Sequence, residues 1–196
     1  MDRLLQIAHG VARGGAWFGG ALILAAALLV AVDIILRNLF VMTFGGADEL
    51  AGYALAVGSA WALAFALLER AHVRIDLLYQ SLPIRGAALV DILCLSAFTA
   101  FMILLSRHGY AVFMQSLTAD THSMSALAIR LAIPQAMWVL GLALFVVVAL
   151  LLLVRAALAL VAGDASTIVR LLGSRSATEE VEHELDHAAT GRGTTE

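Results

Sequence analysis

The hydrophobic residues of this chain occur in four long blocks, and the charged residues lie at the ends of the blocks or between them. The charge-free blocks are residues 14–32, 50–68, 92–106 and 131–154. At ~1.5 Å per residue, helices of about this length cross the ~30 Å hydrocarbon core of a bilayer. The pattern predicts an all-α integral membrane protein with four transmembrane helices. The predicted spans cover about residues 14–38, 50–68, 86–106 and 131–154.

The second block has the most informative pattern. It begins with the acidic pair Asp48 and Glu49 and ends in a polar cluster that includes His72, Arg74 and Asp76. Small residues recur in it with i, i+4 spacing, and a parallel row of bulky residues lies beside them. The small row is Ala54, Gly58, Ala62 and Ala66, the second small row is Ala56, Ala60 and Ala64, and the bulky row is Tyr53, Val57, Trp61 and Phe65.

Small residues let helix backbones approach closely, which drives helix association inside a membrane. Two small rows on different faces predict neighbours on two sides and a central place in the bundle. The alternative is a lipid-facing helix that is merely rich in alanine. Candidate contact residues, with a neighbour or a partner protein, are Asp48, Glu49, Ala54, Gly58, Trp61, Ala62, His72, Arg74 and Asp76.

Residues 72–83 alternate polar and apolar side chains, which predicts an amphipathic link in the membrane interface between the second and third spans. His72 has no second histidine or cysteine beside it, so we interpret it as a solvated interfacial residue rather than a metal ligand or proton relay. Pro83 and Pro134 lie at helix starts, where proline is tolerated.

The remaining segments complete the domain organisation. Residues 1–13 form a short polar leader, residues 14–162 the membrane domain, and residues 163–196 an acidic, partly disordered cytoplasmic tail. The first block also resembles a secretory signal, but its length favours an uncleaved first span. Asp33 and Arg37 share a helix face and predict a local ion pair. Asp91 lies near a span end, where we expect it to reach water or Arg85; the alternative is a functional acid inside the membrane.

Composition agrees with a membrane protein: 62% of the 196 residues are hydrophobic and only 14% are charged, against ~25% in soluble domains. The twelve basic residues are all arginine and are scattered, which is not the pattern of a nucleic-acid surface. Nine arginines lie in the segments on the side of both termini and three on the other side. The positive-inside rule therefore places both termini in the cytoplasm.

No catalytic constellation, phosphate-binding loop or Cys/His ligand set is present in the sequence, so we do not expect an enzyme. The ionisable residues of the four blocks lie near their ends. Ion-coupled carriers place solute and ion sites at the bilayer midplane, often in interrupted helices. This arrangement favours a helper subunit over a chain that binds solute itself.

Three segments carry a resemblance to a known family. They are "ADEL", "ERAHVRIDLLYQSLP" with "HVRID" as its most specific part, and "IRLAIPQAMW". Over about residues 14–160 the chain resembles the small, DctQ-like membrane subunit of TRAP transporters, the tripartite ATP-independent periplasmic transporters.

The resemblance implies a bacterial inner-membrane protein that pairs with a large membrane subunit and a periplasmic substrate-binding protein. Sodium and the organic-acid solute would bind in the large elevator subunit, so no cofactor is expected in this chain. Membrane lipid is the other partner, and nucleic acid is not expected. Two alternatives stay open: a membrane anchor of a redox complex that holds a haem, and a free-standing small carrier or channel.

Overall fold

A computed structural model of the chain describes residues 2–43, 45–70 and 83–172. This part of the chain forms five helices and no β-strand. They are α1 (Asp2–Phe40), α2 (Ala47–Leu68), α3 (Ile84–Thr118), α4 (Ala132–Val161) and α5 (Ala165–Leu172). Helices α1 to α4 are long and apolar enough to cross a membrane. The predicted all-α fold with four membrane-spanning helices is confirmed.

Two sequence predictions fall wholly or partly outside the described residues. The amphipathic link, with His72, Arg74 and Asp76, lies in the gap between residues 70 and 83. The end of the acidic tail lies beyond residue 172.

The predicted leader is not a separate segment, because α1 is continuous from Asp2. Ala8 and Ala12 are buried and continue the small-residue row of Gly15 and Gly19 toward the start of the helix. His9 Nε2 lies 3.0 Å from Glu69 Oε1 just after α2, and the His9 ring packs edge-on against Phe65. The first turns of α1 are therefore part of the packed structure.

The four long helices form a row rather than a closed square. Helix α1 packs on α2, α2 on α4, and α4 on α3, with only minor contact between α1 and α4. Helix α2 thus has a neighbour on each of two sides, as the two small rows predicted. The short helix α5 packs against α3 and α4.

Small residues and a few large ones from α4 fill the contacts within the row. Ala60, Ala64 and Ala149 are almost fully buried, as are Phe145 and Val148. The Phe145 ring packs edge-on against Phe98 of α3 at 5.1 Å between centroids. Since lipid is as apolar as these side chains, close packing rather than burial from water stabilises the row.

Helix α5 is a feature that the sequence analysis missed, because residues after 163 read as a polar tail. Ile168 and Leu172 are buried, so one face of α5 is packed. Asp164 caps this helix: its carboxylate accepts hydrogen bonds from the Ser166 hydroxyl at 2.5 Å and the Thr167 amide at 3.0 Å. The pattern of an Asp followed by apolar residues four apart is the signal that predicts such a helix.

The hydrogen bonds from Ser166 and Thr167 lower the pKa of Asp164 to about 2. The ordinary pKa of an aspartate is ~3.9. Because the folded-state pKa is depressed, the cap contributes stability that is complete above pH ~4 and is lost as the pH falls toward about 2.

Candidate partner interface

The backbones of α1 and α2 contact each other at Gly19 and Gly58. A Cβ atom on Gly19 would lie 2.4 Å from the carbonyl oxygen of Gly58, and one on Gly58 would lie 2.8 Å from the carbonyl oxygen of Gly19. Any larger residue at either position would force the two backbones apart. The candidate residue Gly58 therefore packs inside this chain.

Trp61 joins three helices. Its indole Nε1–H donates a hydrogen bond to the Met137 carbonyl of α4 at 2.9 Å. A Cβ on Gly15 of α1 would lie 3.0 Å from the Trp61 ring, and one on Gly141 of α4 would lie 2.8 Å from it. Phe18 packs edge-on against the same ring at 5.7 Å between centroids. The two glycines leave just enough space for the ring between α1 and α4.

The other small candidates differ in burial. Ala54 is buried, whereas Ala62 is only half-buried. In the second row, Ala60 and Ala64 are buried, and Ala60 lies against Gly141 of α4. One small row thus provides the contact with α1 and the other the contact with α4. A contact of these residues with another protein stays a prediction.

The two acidic residues at the start of α2 lie in different environments. Asp48 is exposed, whereas Glu49 is half-buried. The Glu49 carboxylate accepts hydrogen bonds from the Tyr53 hydroxyl and from Ser125, which lies in the segment between α3 and α4. Glu49 therefore holds this segment to the start of α2.

Internal bonds give the α3–α4 segment a defined shape. Asp120 and Arg130 form an ion pair at 2.7 Å, and the Ser123 amide donates to the Ile129 carbonyl at 2.9 Å. The Leu127 side chain lies so close to Gly46 that a Cβ there would be 2.3 Å from it. The segment is thus folded over the turn that leads into α2.

Two acidic residues of the long helices, Asp33 and Asp91, are buried. The carboxylate of Asp33 is 2% exposed and accepts hydrogen bonds from Arg37 and Thr43, each at 2.9 Å. The predicted local ion pair is confirmed. Asp91 is fully buried in α3, so the expectation that it reaches water is wrong, whereas a pair with Arg85 stays a prediction. The physical reason is that its helix face packs within the row, next to buried Ala87 and Ala88.

A groove of about 140 Å³ lies between α2 and α4. Its walls are apolar or aromatic apart from Gln135 and the Tyr53 hydroxyl. The lining residues are Tyr53, Ala56, Val57, Leu131, Pro134, Gln135 and Trp138. Within the described residues, no three His, Cys, Asp or Glu side chains lie close enough to hold a metal ion.

A sequence model of the family "Tripartite ATP-independent periplasmic transporters, DctQ component" matches residues 26–159, more than half of the chain. The chain belongs to this family. The resemblance carried by the three sequence segments is thereby confirmed. No curated protein and no solved structure matches the chain. The chain is therefore a transporter component, and its four spans are those of a multi-pass membrane protein.

In this DctQ-family chain, the sequence analysis did not identify the residues of α3 and α4 that pack against tryptophan rings. Gly141 is the only glycine of α4, and Gly109 is the only glycine in α3 after residue 86. Both receive a tryptophan ring, since a Cβ on Gly109 would lie 2.8 Å from Trp138. An isolated glycine in an apolar helix is the signal that would have identified these contacts.

Proposed function

We propose that this chain is the scaffold subunit of a sodium-coupled TRAP transporter that imports an organic acid. In this proposal a periplasmic binding protein delivers the solute, and the large membrane subunit binds solute and sodium and moves as an elevator. This chain supports the large subunit and binds no solute. Family membership supports the role of transporter component. The division of labour is our inference.

The single-layer packing is the observation that carries this proposal. In a closed bundle, each helix buries one face in the centre. In a row there is no enclosed centre, so each helix has two opposite faces that no other helix of the chain covers. Large apolar side chains are exposed on all four spans, for example Leu24 at 62%, Leu55 at 60%, Leu93 at 69% and Leu140 at 60%. Such a layer has the shape of a wall against which a second membrane protein can pack.

The orientation follows from charge. The N-terminal turns of α1 meet the end of α2 through His9 and Glu69, and α5 packs near the end of α4 on that same side. Since nine of the twelve arginines belong to this side, we infer that it faces the cytoplasm of a bacterial inner membrane. The segment with Ser125 then faces the periplasm.

We expect Glu49→Arg to weaken assembly with the large subunit. An arginine cannot accept the hydrogen bonds from Tyr53 and Ser125, so the α3–α4 segment loses its attachment to α2. A hydrogen bond to a charged group contributes about 1.5–3 kcal/mol, which corresponds to at least a ten-fold effect on an equilibrium. The measurement is the amount of large subunit that co-purifies with tagged protein from membranes.

Glu49→Gln is the matched control at the same position, because its amide oxygen still accepts the hydrogen bonds from Tyr53 and Ser125. It should retain the large subunit at the wild-type level. Equal recovery with both variants would refute a role of Glu49 in assembly. Membrane insertion, measured by extraction with carbonate, should be unchanged in both.

A further inference from the structure

Contacts between neighbouring helices show which residues lie at the same height, that is, at the same position along the helix axes. Gly19 of α1 is level with Gly58 of α2, since their backbones touch. Gly141 of α4 lies against Ala60 of α2. Because α2 and α4 run in the same direction, Val139 of α4 is level with Gly58.

Helix α3, at the far edge of the row, also has a residue at this level. A Cβ on Gly109 of α3 would lie 3.4 Å from Val139 of α4. A line through Gly19, Gly58, Val139 and Gly109 therefore crosses all four helices at about one height, perpendicular to their axes.

This line meets the apolar part of each helix at a different depth. On α1, Gly19 is only six residues from Arg13 but fourteen from Asp33. On α2, Gly58 is near the middle, nine residues from Glu49 and eleven from Glu69. The line thus starts in the inner half of α1 and reaches the centre of α2.

On the other two helices the line lies still closer to the outer end of the apolar block. On α4, Val139 is nine residues from Arg130 at the outer end and sixteen from Arg155 at the inner end. On α3, Gly109 lies two residues beyond Arg107, outside the charge-free block altogether. From α1 to α3 the line rises steadily from the inner half to the outer boundary.

We propose that the bilayer crosses this row of helices obliquely, with all four axes tilted in the plane of the row. Relative to the centre of each block, the line shifts by about 14 residues, or ~21 Å at 1.5 Å per residue. Three interhelical spacings of 8–10 Å give a lateral distance of ~27 Å. The ratio corresponds to a tilt of roughly 38°, within the range of about 0–40° for membrane helices.

An upright row would place polar side chains in the hydrocarbon core and apolar side chains in water. Arg107 and His108 are exposed and lie near the height of Gly58, so an upright row would put both in the hydrocarbon core. A charge there is expensive. In the same orientation Ile35 and Leu39, which are 53% and 71% exposed, would project into water on the outer side. The oblique placement moves Arg107 and His108 toward the outer head groups and brings Ile35 and Leu39 closer to the hydrocarbon core.

The surface that lipid covers is therefore an oblique belt. It runs from the charge-free residues 14–32 on α1 to the charge-free residues 92–106 on α3. A membrane protein that packs against either face of the row in the same bilayer must match this inclination.

Three nitroxide labels at one height in the row test the tilt. In a Cys94→Ala background, single cysteines replace exposed side chains in Trp17→Cys on α1, Leu140→Cys on α4 and Arg107→Cys on α3. The full chain is reconstituted in vesicles of phosphatidylethanolamine and phosphatidylglycerol. Spin-label collision rates with oxygen and with a water-soluble nickel chelate then give the depth of each label.

The oblique row places the Arg107→Cys label near the outer head groups, the Leu140→Cys label near the midplane, and the Trp17→Cys label in the inner half. The expected spread in depth is about 15 Å. Equal depths for the three labels would overturn the proposal. His108→Cys provides the same height on α3 if Arg107→Cys does not fold, as judged by circular dichroism.

Discussion

Gly19→Ala is expected to lower the stability of the protein sharply although it adds a single methyl group. The new Cβ would lie 2.4 Å from the backbone oxygen of Gly58, a distance that real Cβ contacts essentially never show. A backbone oxygen cannot rotate away as a flexible side chain can, so α1 must move off α2. Overpacking of this kind costs typically 1–3 kcal/mol.

Gly20→Ala is the matched control, because a Cβ on Gly20 has no atom within 4 Å. Both substitutions replace glycine by a better helix former, which by itself stabilises a helix by about 0.5–1 kcal/mol. Thermal unfolding of the two variants in detergent therefore isolates the contact with Gly58. We expect the midpoint of Gly19→Ala to fall below that of the wild type and the midpoint of Gly20→Ala to stay level or rise. Equal midpoints for the two variants would contradict the close contact of α1 and α2.

Trp61→Ala is expected to lower the stability of the protein by weakening the packing of α2 against both of its neighbours. The substitution removes the ring that lies between Gly15 and Gly141 and also the hydrogen bond to the Met137 carbonyl. Neither glycine can refill the space, since neither has a side chain. Truncation of a packed tryptophan costs about 3–5 kcal/mol in protein cores. The measurement is again the midpoint of thermal unfolding in detergent, together with the yield of folded protein after extraction.

Two further tryptophan variants separate the contributions. Trp17→Ala removes an equally large side chain that is 75% exposed, and it should leave the midpoint nearly unchanged. Trp61→Phe keeps most of the ring volume but removes the Nε1–H donor, and its loss should be close to the ~1 kcal/mol of one hydrogen bond. If Trp61→Ala were as stable as Trp17→Ala, the joining role of Trp61 would be wrong.

The spans and the central place of α2 could be predicted from the sequence because they depend on simple physical quantities. The length of a charge-free block decides whether a helix crosses a bilayer. The spacing of small residues decides which faces permit close approach, and the rows with Gly58 and Ala60 do face α1 and α4. The local pair of Asp33 and Arg37 follows from four-residue spacing alone.

The arrangement of the helices could not be predicted, because it depends on pairing between distant residues. Nothing in the α2 sequence indicates that the Trp61 ring would be received by Gly141, eighty residues later. The different roles of Asp48 and Glu49 likewise depend on where Ser125 folds back. Asp91 was expected to reach water or Arg85 from its place near a span end, and water is excluded because burial is set by neighbouring helices rather than by depth.

The central claim is that these four helices support a transporter without carrying solute, and flux in liposomes tests it most directly. Vesicles would contain this chain alone, or this chain with the large TRAP subunit and the periplasmic binding protein of the same organism. Uptake of a panel of labelled organic acids would be measured with an inward sodium gradient. We expect no uptake with this chain alone and sodium-dependent uptake with the complete set. Uptake by vesicles that contain only this chain would contradict the account.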